Sequence, residues 1–129
     1  MTTEDAALSA LRTEWPTKEW GWDDRMAVVS SAVSGPHITV ARAVVEKAMP
    51  QSFDATSIET APETLRALIA GTGGLRGNQL AFVTGDAYGL WWPWGGGGTV
   101  SLRIGLVGAS KDEALATRLR DLFAVSLSR

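Results

Sequence analysis

A chain of 129 residues with 45% hydrophobic and 20% charged side chains can bury one core without staples, and its composition excludes a disordered polymer. The formal charge is −2, split into −4 over the first 24 residues and +2 over the rest, so neither part carries the cationic stripe of a nucleic-acid footprint. There is no cysteine, which excludes disulfides and thiolate chemistry, and no apolar run approaches the roughly 18 residues of a membrane helix.

The start, MTTEDAALSALR, has acids where a secretory signal needs basic residues, so a cytoplasmic protein is expected. Thr2 or Thr3 can cap a first helix, with Glu4 and Asp5 favourable in its first turn. Leu8, Leu11 and Trp15 make one apolar stripe, and Pro16 closes the helix. WPTKEWGWDD is too polar and irregular for a core element, so it is expected to be a loop whose Trp20 and Trp22 fold back onto the body. The valines of RMAVVSSAV before Ser34-Gly35-Pro36 favour a strand.

Residues 38–49 are ambiguous. As a helix they line Ile38, Ala41, Val45 and Ala48 on one face; as a strand they would put Arg42 beside Val40 and Val44. Residues 53–59 suggest a short edge strand. Thr60 with Glu63, and Ser110 with Glu113, have the spacing of capping boxes, each opening a helix. The first helix buries Leu65, Leu68 and Ile69 and stops at Gly71. The second buries Leu115, Leu119, Leu122 and Phe123.

Between those helices lies the best-patterned stretch, residues 79–108. LAFV, YGLWW and the alternating TVSLRIGL predict a three-stranded antiparallel meander, turned first at Gly85-Asp86. In the last strand Val100, Leu102, Ile104 and Leu106 share the inner face. The expected fold is α+β in one domain spanning 1–129. Its antiparallel sheet combines this meander with one or two N-terminal strands, flanked by three or four helices.

Catalytic motifs are missing. The glycines of residues 71–77 close a helix and lead into a strand, the reverse of a phosphate loop. His37 is the single histidine, so a His/Cys metal site is excluded, and no serine sits in a Gly-x-Ser-x-Gly elbow. Asp23-Asp24 has the look of a turn cap. No catalytic residue, metal or cofactor is assigned, and an enzyme is the less favoured class.

The compositional anomaly is six tryptophans, Trp15, Trp20 and Trp22 early and Trp91, Trp92 and Trp94 late. One reading packs the two clusters on each other; the other makes the late cluster a contact surface. Neighbouring strand residues point to opposite faces, so Trp91 and Trp92 are both buried only if both sheet faces are covered. Trp94, between Pro93 and four glycines, has few neighbours to bury it. The expected function is therefore a non-enzymatic interaction module for a protein partner or a second copy of itself, with Trp92, Trp94, Arg76 and Arg103 as contact residues. The alternative is a small-ligand receptor with the 91–98 hairpin as a lid and Tyr88, Arg103 and His37 as its polar groups. Neither nucleic acid nor membrane is expected as a partner.

Overall fold

In the computed structural model, which describes residues 2–125, helix α1 (Thr3–Glu14) starts on Thr2, whose Oγ1 accepts the Asp5 N–H at 3.0 Å. Its Leu8 and Leu11 are buried, and Trp15 follows in extended backbone, also buried. The polar segment after it holds a strand that the sequence pattern hides: β1 (Gly21–Asp23) pairs antiparallel with β2 (Val28–Ser34). Three residues are too few to display a period, so a loop was the expectation there.

Residues 38–49 resolve as helix. α2 (His37–Ala48) buries Ala41, Val44 and Val45, and Met49 ends it with an N–H to the Val45 oxygen at 2.8 Å. The edge strand is earlier and shorter than expected: β3 (Gln51–Phe53) stops because Asp54 Oδ1 accepts the N–H groups of Thr56 and Ser57, an Asx turn. Both helix starts after it are also corrected. α3 (Glu63–Gly71) opens on Pro62 with no side-chain cap, because the Thr60 hydroxyl donates back to the Ser57 oxygen at 2.7 Å. α4 (Glu113–Leu122) is capped by Asp112, whose Oδ1 accepts from Ala114 and Leu115, while Ser110 lies in a preceding 3-10 turn.

The meander forms as expected from β4 (Leu80–Thr84), β5 (Ala87–Pro93) and β6 (Thr99–Leu106). The protein is α+β, with four α-helices and a six-stranded antiparallel sheet ordered β1-β2-β6-β5-β4-β3. Three strands, two of them only three residues long, thus join the meander, where one or two were expected. Among the described residues no helix is long and apolar enough to cross a membrane.

The sheet has unequal faces. On one, Val29 and Val33 of β2 and Val100, Leu102, Ile104 and Leu106 of β6 meet α1, α2 and α4 in the main core. Polar contacts hold these helices to the sheet and to one another. Ser31 is the one polar residue in this face of β2, and its Oγ accepts the indole N–H of buried Trp15 at 3.0 Å. Glu4 Oε2 accepts the Asp86 N–H at the β4–β5 turn, which holds its carboxyl below the usual range. Asp5 takes the Arg118 guanidinium of α4. On the opposite face α3 alone forms a second cluster, with Leu65 and Ile69 on Phe53, Ala81, Val83, Tyr88 and Leu90.

Within that second cluster Tyr88 stands opposite Gly105, and a Cβ at Gly105 would collide with its ring. The glycine therefore makes room for the aromatic across the strands.

Two measurements check this arrangement. Leu102→Ala should lose roughly 2–5 kcal/mol in chemical denaturation, since a fully buried methyl pair leaves a cavity; a small loss would mean that Leu102 is outside the core. Tyr88 is the only tyrosine, and burial pushes its hydroxyl up from 10.0 to about 12. The folded chain holds this proton more tightly than the unfolded one, so the contribution to stability is complete below pH 10.0 and is lost as the pH rises to about 12. Phenolate absorbance in alkaline titration should therefore appear late, together with unfolding. Titration at the ordinary value in the folded protein would contradict the burial.

Candidate functional site

The period-two pattern of β2 and β6 places Ser30, Ala32, Ser34, Ser101 and Arg103 on the α3 side of the sheet, beside Trp92 of β5. α3 covers the Phe53, Ala81 and Leu90 side and leaves this area open: Ala32 and Ser34 are exposed, and Ser30, Ser101, Arg103 and Trp92 are half-buried. The Arg103 guanidinium carbon lies 4.5 Å from the Trp92 ring centroid, a stacked cation–π pair. Trp92 Nε1 and Arg103 Nε are enclosed, and neither has a hydrogen-bond partner among the described residues.

Trp94 is 54% exposed, whereas Trp92 and Pro93 before it are half-buried. It is nevertheless held. Its backbone N–H donates to the Thr99 oxygen at 2.8 Å and its indole N–H to Ser101 Oγ at 2.6 Å. The hairpin tip closes with the Gly97 N–H on the Trp94 oxygen at 3.1 Å, and Gly96 and Gly97 take φ of +94 and +77, a turn that side chains resist. The Gly35 N–H reaches the Gly98 oxygen, tying this tip to the start of α2. An indole with its N–H fixed and its ring in water is preorganised for contact.

Between this hairpin and the turn after α3 is an open cleft of about 500 Å³, lined by Arg76, Asn78, Gln79, Trp92, Trp94 and neighbouring backbone. Gln79 shapes its far wall: its Oε1 accepts the Arg76 N–H at 2.8 Å, and its own N–H donates to the Arg76 oxygen at 3.0 Å. No carboxylate lines the cleft. Among the described residues Arg42, Lys47, Arg118 and Arg120 each face a carboxylate, whereas Arg76 and Arg103 face none, as is also true of Arg12, Lys18, Arg25, Arg66 and Lys111. On the other side of the hairpin a second open cleft, about 540 Å³, runs between Trp91 and Val100 and the Ile38, Arg42 and Glu46 side of α2.

Of the six residues singled out from the sequence, Trp92, Trp94 and Arg76 share one cleft, and Arg103 joins them by stacking on Trp92. Tyr88 lies apart, under α3, lining a different pocket with Met26 and Leu68. His37 is the exposed first residue of α2 and lines neither cleft beside the hairpin. Asn78, Gln79 and Ser101 were not anticipated. Ser101 had a signal, since it shares the Arg103 face of β6 by period two.

The early tryptophans do not pack on the late ones through their rings. Trp20 sits between Trp15, at 5.3 Å, and Phe123 beyond α4, at 4.5 Å, while Trp22 carries the Arg120 guanidinium at 4.6 Å. Compared with protein families, curated proteins and solved structures, the chain matches none.

The late tryptophans should separate by denaturation. Trp94→Ala should change stability by less than about 1 kcal/mol, as exposed positions do. Trp91→Ala, buried in the main core, should lose about 3–5 kcal/mol. Equal losses would mean that Trp94 is part of the core.

Proposed function

We propose that this protein is an interaction module that docks a protein partner on the open half of the α3-side sheet face. One observation carries the reading. An indole that is 54% exposed is locked by two hydrogen bonds beside an arginine–tryptophan stack, on strand surface that no helix covers. Tryptophan and arginine are the residues most enriched among interface anchors. A large rigid aromatic in water adds little to folding, and its value lies in the surface it offers. The residues around it are small, Ser30, Ala32, Ser34 and Ser101, so a partner backbone can approach the strands closely.

A small-ligand receptor is the second reading. Its support is the cleft, whose volume lies within the roughly 300–1,000 Å³ of ligand pockets and whose wall brings Arg76, Asn78 and Gln79 together. Its polar, open lining favours a macromolecular partner, because small ligands are held mainly by enclosed apolar walls.

The test is recovery of a partner from the native host by the full chain, run beside Trp94→Ala. A specific partner, or a self-associated dimer by light scattering, that is lost in a Trp94→Ala protein of unchanged stability supports docking. A monomer from which neither protein recovers a partner counts against it.

A further inference from the structure

Resting on the docking reading, we infer that the segment docked beside Trp94 is an extended acidic peptide, with one carboxylate received by Arg103 and another by Arg76. Charge carries the argument first. The chain has a formal net charge of −2, yet the cleft beside Trp94 has Arg76 on its wall, Arg103 stacked on its Trp92, and no acid in its lining. The described cations that face carboxylates lie elsewhere. The acid of β1 on the same face of the sheet, Asp23, directs Oδ1 at the N–H groups of Arg25 and Met26.

Geometry then selects the group. The Arg103 guanidinium carbon lies over an indole with Nε enclosed, and no described residue accepts from its two terminal nitrogens. A guanidinium anchored over an indole with its terminal nitrogens unpartnered offers N–H donors in a planar fork, and two parallel donors match a carboxylate. Arg76 sits at a turn fixed by Gln79, on the wall of the cleft that Trp92, the ring under Arg103, also lines.

A nucleic acid would also stack on Trp94, but two arginines cannot offset the repulsion of a long polyanion by a net-negative chain. A peptide with a few acids meets the two cations without that penalty. The open β2–β6 surface, with its small side chains, suits a chain lying extended along it.

The probe is a displayed library of random peptides, panned against the immobilised full chain, with an oligodeoxythymidylate as competitor. Retained peptides should be enriched in Asp and Glu and should bind more weakly as salt rises. Arg103→Gln should weaken the selected peptides about tenfold or more. Arg76→Gln, at an exposed turn where folding is not at stake, should weaken them severalfold. Retained peptides that are apolar or basic and indifferent to both arginine variants overturn the acidic partner; if Trp94→Ala still abolishes them, docking at this face stands. Indifference to Trp94→Ala as well removes the docking reading too. Displacement of the peptides by the oligonucleotide at lower concentration would transfer the site to nucleic acid, and self-association blocked by Arg103→Gln would make the acidic segment that of a second copy; either outcome overturns the proposal as stated.

Discussion

The size of α3 against the sheet governs the rest of the structure. Its nine residues make a helix about 14 Å long and roughly 10 Å wide, whereas six strands span about 24 Å. One such helix covers about two strands. The other face carries three helices and has no such shortage. Wherever α3 lies, strand residues must be apolar on both faces, as LAFV and GLWW are. Where it does not reach, the outward positions must tolerate water, and β2 and β6 place serine, alanine and arginine there. The open patch therefore follows from coverage, and its tryptophan and arginines are the part that coverage does not require.

The same logic explains what was legible. TVSLRIGL declares a half-buried strand, and its inner set is buried in full. The adjacent pair Trp91 and Trp92 could both be buried only if both faces were covered; Trp91 is buried and Trp92 half-buried, on the face that α3 covers in part. Other features depend on tertiary context. β1 exists because β2 offers it an edge, and nothing in GWD alone announces a strand. The caps of α3 and α4 moved because Thr60 and Ser110 found local turn geometry first, and Asp112, an equally good cap, lay two residues nearer the helix. In residues 38–49 the valines suit either element; Gly35 with its φ of +58, followed by Pro36, decides for the helix by redirecting the chain off the sheet.

Two arginine–tryptophan stacks show how one pairing serves two ends. Arg120 lies over Trp22 but is buried, with Nη2 2.6 Å from Glu113 and 3.1 Å from Thr117. Its Nη2 is committed internally, and the side chain fastens β1 to α4. Arg103 over Trp92 has the stack without the carboxylate. Geometry is shared; electrostatic closure is not. The difference is that the helix carrying Arg120 also carries Glu113, whereas β6, which carries Arg103, has no acid.

The contacts of α1 have a consequence for how the chain comes to be folded. Glu4 is fastened to Asp86, 82 residues on, and Asp5 to Arg118, 113 residues on. Contacts this distant along the chain form late, because the intervening loop must first be closed. During synthesis α1 leaves the ribosome before its docking sites on the β4–β5 turn and α4 are made. For most of that interval the Leu8 and Leu11 stripe can rest on α2 alone, the helix that also meets α1 through Lys47 and Glu14. The nascent chain thus carries α1 as an amphipathic segment fastened on one side only, until α4 arrives to secure it.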